Sequence, residues 1–212
     1  MIVVTLAITD PEIYWLRERN IALSLLGTKH PNVNNVHIDD YAAMKTATEY
    51  LISQGHRRIG MIGTAAFEQT PNQVHLDRTN GFKGALAAAK IPFDAALLVQ
   101  SDFSIKGAQR AVERLFELEN PPTAIVAESD ELAFGVITAA RAHGIRVPED
   151  LSVTGIDDHE ISGSFGLTTV AQPVTSLGEI AAWQVISQSE TPTSVAMPTS
   201  LIIRSSTTRL FN

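Results

Sequence analysis

Short apolar runs rich in β-branched residues alternate with alanine-rich, helix-like segments along almost the whole of this 212-residue chain. That rhythm restricts the fold to βα units and largely parallel sheets, because parallel strands need a long crossover and a helix is its usual form. Strands are expected at residues 2–6, 21–26, 36–38, 59–62, 97–99, 123–127, 151–156, 167–170 and 200–204. Asp10 and Pro11 suit the start of a short first helix. Asp39 or Asp40 starts a second, running to about Gln54. Ala43, Ala47, Tyr50 and Leu51 form its apolar stripe, and Gly55 suits its C-terminal cap. Further helices are expected over residues 78–90, 104–118, 129–143 and 176–187, with Ser104 and Ser129 placed as caps.

The chain is long enough for two compact lobes. A hydrophobic content of 44% with 18% charged residues describes a folded globular chain. No apolar stretch is long enough to span a membrane. The opening residues MIVVTLAITDPE carry no basic segment, which argues against an export signal. Cysteine is absent, which excludes disulfides, thiolate metal sites and a cysteine nucleophile, and fits a cytoplasmic protein. A net charge of −7 argues against nucleic-acid binding by this chain itself, since that needs clustered Lys and Arg. The one dense basic cluster, His56-Arg57-Arg58, lies between a helix end and a strand, where arginines usually form a solvated face.

Residues 148–173, PEDLSVTGIDDHEISGSFGLTTVAQP, carry the strongest local signal. A short buried strand ends at Asp157-Asp158, and ligands of open α/β sheets bind at the carboxyl ends of strands. A carboxylate there can accept hydrogen bonds from ligand hydroxyls or amines. The same aspartates would equally serve to start a turn or cap a helix. Neighbouring aspartates on a strand end point in different directions, so they make a poor acid/base pair. No nucleophile elbow, phosphate-cradling loop or zinc motif accompanies them or the histidines at 37, 56, 75 and 159. The chain therefore reads as a binding protein and not an enzyme, with no cofactor and no metal site expected.

An ordered set of short motifs then carries a resemblance. Gly55-His56-Arg57-Arg58-Ile59 precedes a strand. Arg78 is followed by Gly81-Phe82 and Ala85-Leu86, and Asp102-Phe103 by Gly107. Next come Pro122-Thr123-Ala124-Ile125 and the run from Ser129 to Gly135, SDELAFG. Val147-Pro148-Glu149-Asp150-Leu151-Ser152-Val153, Gly155-Ile156-Asp157-Asp158, Leu167-Thr168-Thr169-Val170 and Gln172-Pro173 complete the series. From Asp39 onward the chain resembles the effector-binding core of lactose-repressor-type (LacI/GalR) bacterial transcription regulators, which is similar to periplasmic sugar-binding proteins.

The resemblance implies an α/β fold of two Rossmann-like parallel-sheet lobes with helices on both faces, of the type I periplasmic binding protein kind. The N-terminal lobe is expected to be incomplete and to comprise residues 1–63 plus 174–192. The C-terminal lobe would comprise 64–173 plus 193–212, with crossings near Gly63-Thr64, near Gln172-Pro173, and between Thr191 and Thr199. The family's DNA-binding headpiece and first βα units are expected to be missing, leaving strand edges and an apolar face uncovered. Self-association, or disorder and repacking near residues 1–60, is the expected consequence.

For function, the resemblance implies an effector-binding and dimerisation domain that takes a small sugar-like ligand and controls a headpiece allosterically. The partners implied are that effector, a second copy in a homodimer, and operator DNA only through the headpiece, with no membrane. A solute-binding protein for sugar uptake is the alternative. The implied ligand-binding residues are Arg78, Phe103, Ser129, Asp157 and Gln172. Arg78 would offer its planar fork to ligand oxygens, Phe103 would stack on the ligand, and Asp157 would accept hydrogen bonds, while Asp158 is expected to be structural. Ser129 departs from the Asn common in relatives and also suits a helix cap. Gln69, Asn72, Gln73 and His75 in a polar loop are further candidates. The implied dimer interface comprises Leu132, Phe134, Val136, Ile161 and Phe165, with the buried-helix reading of α-helical residues 130–142 left open.

Overall fold

A computed structural model describes residues 1–6, 8–64, 73–187 and 191–210. The chain divides into two compact units: among the described residues, the first comprises 1–39, 73–76 and 172–199, and the second 40–64, 77–171 and 200–210.

The first unit holds four parallel strands in the order β1-β2-β3-β9. These are β1 (Ile2–Val4), β2 (Ser24–Leu26), β3 (Asn34–Ile38) and β9 (Ser194–Met197). The helix α1 (Asp10–Arg17) joins β1 to β2. Its cap is Thr9 and not Asp10: the Glu12 carboxylate accepts from both the amide and the hydroxyl of Thr9, at 2.8 and 2.7 Å. The helix α6 (Val174–Ser187) lies against β2 and β3. Its buried Gln184 ties the sheet together, accepting from Ser24 Oγ at 2.7 Å and donating to the Asn35 carbonyl at 3.2 Å. Among the described residues up to Ile38, β1, β2 and β3 pair in parallel. The uncovered apolar surface is present nonetheless: Ile2, Val4, Leu6 and Trp15 are exposed, and a cavity of about 480 Å³ lies among Met1, Val3, Leu6, Ile8, Pro11 and Trp15.

The second unit holds six strands in the order β10-β8-β7-β6-β4-β5. These are β4 (Ile59–Thr64), β5 (Leu98–Ser101), β6 (Ala124–Ala127), β7 (Ser152–Asp157), β8 (Thr168–Ala171) and β10 (Ser200–Ile202). All pairings are parallel except β10 with β8. β6 reads Ala-Ile-Val-Ala and is buried throughout, as a central parallel strand covered on both faces should be. α2 (Asp40–Ser53) lies on β6, β7 and β8, and α3 (Gln73–Ala88) packs against it through Gly81 and Gly84 at Tyr41. The contact with α3 depends on Gly81, where a Cβ would come within 2.3 Å of the Tyr41 carbonyl oxygen. α4 (Ile105–Phe116) and α5 (Asp130–Ala142) contact each other and the sheet, and supply the largest apolar cluster.

Two expectations are corrected here. The chain leaves the first unit already at Asp39–Asp40, ahead of the passage expected near Gly63-Thr64, so α2 and β4 belong with the six-stranded sheet. The physical reason is in the registers: β4 pairs with β5 and β6, while the sheet of β3 is continued by β9. The strand β9, expected in the C-terminal lobe, therefore sits in the four-stranded sheet.

Candidate functional site

Parallel strands present their carboxyl ends along one edge, and the six-stranded sheet gathers its polar residues there. In register, Thr64 ends β4 opposite Ser101 of β5, Glu128 and Ser129 follow the end of β6, and Asp157 ends β7 opposite Ala171 of β8. Asp157 and Asp158 both have positive φ, 131° and 56°. Non-glycine residues adopt such values at an energetic cost, so the surroundings must hold this turn.

They do so through Asp130 in the first turn of α5. This carboxylate is fully buried and accepts from the His159 amide at 2.9 Å, the Ser162 hydroxyl at 2.5 Å and the Thr169 hydroxyl at 2.6 Å. Gly155 makes the approach possible, since a Cβ there would lie 2.2 Å from Asp130 Oδ1. Asp158 is structural as expected: it pairs with Arg204 at 2.7 Å, and Arg204 also donates to the Leu167 carbonyl.

Arg78 reaches the same edge from α3. It is buried, with Nε and Nη2 on Asp40 Oδ1 at 2.8 and 2.7 Å and Nη1 donating to the Glu128 carbonyl. Burial alone would lower the guanidinium pKa. The carboxylates of Asp40, Asp157 and Glu128 outweigh it and hold the value above the ordinary one, so the charge persists. Glu128 is buried too, its carboxylate accepting from the Thr64 amide at 2.7 Å and the Thr64 hydroxyl at 3.3 Å. Asp40 was expected only as a helix start and Glu128 not at all, so neither was marked as a site residue in the sequence. Glu128 carried a signal, a charged residue directly after an apolar strand, whereas Asp40 stands 38 residues from Arg78.

The remaining expected residues fall differently. Phe103, between β5 and α4, is 48% exposed, which excludes a core role for it. Ser129 is buried, and its hydroxyl accepts from the Leu132 amide at 3.4 Å, capping α5. Gln172 belongs to the unit of the four-stranded sheet, where its carbonyl accepts from Val174. Gln69 and Asn72 lie outside the described residues, and Gln73 and His75 sit in the first turn of α3. Of the expected dimer-interface residues, Leu132, Phe134 and Val136 are 0, 1 and 0% exposed. They are core and offer no surface to a partner, because α4, the sheet and Phe165 enclose α5. Ile161 remains exposed and Phe165 half-buried. Among the described residues no group of His, Asp and Glu side chains is arranged to hold a metal ion, and no helix is long and apolar enough to cross a membrane.

Residues 48–207 match the sequence profile of the periplasmic binding protein-like domain. The transcriptional repressor CytR of Escherichia coli K12 is 36% identical over 181 residues, which are 82% of this chain and 52% of CytR. The probable transcriptional repressor ExuR of Bacillus subtilis is 32% identical over 207 residues, 93% of this chain and 61% of that protein. This chain thus spans between about half and three-fifths of the length of these relatives. Among solved structures, a LacI family regulator of Enterococcus faecium with bound ribose is similar with a TM-score of 0.89 at 27% identity, over 99% of this chain and 79% of that one. The CelR–cellobiose complex gives 0.82 at 26% identity, over 97% and 64%.

Proposed function

We propose a function from one premise: the chain belongs to the periplasmic binding protein-like domain family, in the branch of LacI-type regulators. It is the effector-sensing part of a transcription regulator, taking a small hydroxyl-rich ligand at the carboxyl edge of the six-stranded sheet. The observation that carries this reading is the gathering of Thr64, Arg78, Glu128 and Asp157 on that edge, held by Asp40 and Asp130. Asp157 accepts from ligand hydroxyls, Arg78 lends its charge and its remaining N–H groups, and exposed Phe103 covers an apolar ligand face. Ser129 acts through its cap on α5 and not through the ligand. Relatives named as repressors, and neighbours holding ribose or cellobiose, support a regulator over a solute carrier or an enzyme.

In the same proposal, ligand binding shifts a conformational population and so changes DNA binding by a headpiece in the longer protein. A second copy pairs through Ile161 and Phe165, the two expected interface residues that keep apolar surface. The test is a thermal-shift screen against sugars and polyols, repeated on Asp157→Ala. A ligand that binds only the folded chain raises Tm by mass action. A hit that vanishes in the variant is expected, and an unchanged hit would remove Asp157 from the site.

A further inference from the structure

The four-stranded unit carries a cavity of its own, at the amino ends of β2 and β3, with a volume of about 490 Å³. Its floor is apolar: Ile13 and Leu16 are the buried face of α1, and buried Val33 stands just before β3. Arg17, Asn20, Asn32 and Asn34 supply polar groups around it. An apolar floor with a few convergent polar groups is the usual make-up of a small-molecule site, and the volume suits one.

The polar groups are weighted toward donors. Asn34 Oδ1 already accepts from the Thr193 amide at 2.8 Å and the Thr193 hydroxyl at 3.1 Å, so Asn34 has its two Nδ2 hydrogens left to offer. Arg17 is held at the cavity by donating from Nη2 to the Asn32 carbonyl, while its Nε and Nη1 make no hydrogen bond among the described residues. No acidic side chain lines the cavity among the described residues, so its lining carries one positive charge. The C-terminal end of α1 adjoins it and would oppose an anion with about half a charge. Its last carbonyls are already bonded, however: Leu16 to the Arg19 and Ile21 amides at 3.1 and 3.0 Å, and Arg17 to the Asn20 amide at 2.9 Å. The full charge of the Arg17 guanidinium outweighs them.

We propose that this cavity is a second ligand site, taking a small carboxylate with an apolar body, an aromatic or branched-chain acid. The body lies over Ile13, Leu16 and Val33, and the carboxylate accepts from the open side of the Arg17 fork and from Asn34 Nδ2. Asn20, whose φ of 54° ends α1 in the left-handed region, adds a carboxamide that serves acid and amide ligands equally. A polyol fits poorly, since its hydroxyls would face the apolar floor. The cavity belongs to a different unit from the carboxyl edge of the six-stranded sheet, so the chain reads a second ligand of different chemistry.

The test is ligand-observed NMR titration of the full chain with two matched pairs: phenylacetate with phenylacetamide, and 4-methylpentanoate with 4-methylpentanamide. The acid of each pair should bind at least about 10-fold more tightly than its amide, because charge-assisted bonds replace neutral ones. Rising salt should weaken the acid and leave the amide unchanged. Arg17→Gln should abolish the preference for the acid, and Arg17 is exposed, so the chain should still fold. Asn20→Gly suits the positive φ of its position and should weaken acid and amide alike, by about 5-fold for one neutral hydrogen bond. The salt series reads the charge without any substitution, so an unstable variant leaves the test intact. Equal binding of acid and amide overturns the proposal, as does a preference that survives Arg17→Gln. Binding of neither pair overturns it too, and leaves the sugar-sensing reading standing.

Discussion

Asp130→Asn keeps the shape of a fully buried side chain and removes its charge. The native carboxylate accepts three hydrogen bonds, from the His159 amide and the Ser162 and Thr169 hydroxyls. Bonds to a charged acceptor contribute about 1.5–3 kcal/mol each and neutral ones about 0.5–1.5. Asn retains one oxygen and turns its amide toward the donor that best tolerates it, the Thr169 hydroxyl, which can rotate and accept. Three bonds each weakened by about 1 kcal/mol give a loss of about 3 kcal/mol, or about 6–12 °C in Tm for a chain of this size. Asp130→Ala, which leaves three donors unpaired, should cost more, and Thr169→Val, which removes a single donor, about 1 kcal/mol. Urea denaturation followed by circular dichroism measures all three. Removing a buried charge also relieves desolvation, and that relief opposes the loss. If Asp130→Asn changes stability by less than about 1 kcal/mol, relief has matched the lost bonds and the hub argument is wrong.

Gly81→Ala should lower stability by about 2 kcal/mol, because its Cβ would drive α3 off the Tyr41 carbonyl; an unchanged melting curve would show that α2 and α3 can separate freely. Burial lowers the pKa of His56, with the Thr208 carbonyl partly opposing it, so its neutral form is the folded one. Its contribution is complete above about 6.5, the ordinary imidazole value, and is lost as pH falls below it, so His56→Gln should flatten the decline in stability between about pH 7 and pH 5. Exposed apolar side chains at β1 and α1 should drive concentration-dependent association. The double substitution Leu6→Lys and Trp15→Glu should reduce it in sedimentation velocity, and an unaltered distribution would move the sticky surface elsewhere.

Much of the six-stranded unit was legible in the sequence. β6 and β7 read as apolar runs, Ser104 and Ser129 were expected as caps and are caps, and Asp157 was marked by its place after a strand. Sheet membership was not legible for β4, since a buried run such as Ile-Gly-Met-Ile looks the same whichever sheet receives it. β9 was missed because Ser-Val-Ala-Met is short and half-exposed, held as a strand by its pairing with β3. The Asp40–Arg78 pair and the three donors to Asp130 come from distant parts of the chain, and no local pattern announces them. The α5 apolar residues were ambiguous for a physical reason: a helix enclosed on several sides and a helix with a sticky outer face present the same composition.

The antiparallel pairing of β10 with β8 sets Ser200 directly opposite Ala171. Residues 172–199 therefore leave and rejoin the six-stranded sheet at facing positions, the geometry a tight hairpin would bridge. Replacing that whole excursion by Asn-Gly, and beginning at Asp40, would splice the larger sheet into one continuous piece of chain. Such a minimal protein would retain Arg78, Glu128, Asp130 and Asp157 without the apolar edge at β1, which makes it the cleaner object on which to measure what this edge can hold.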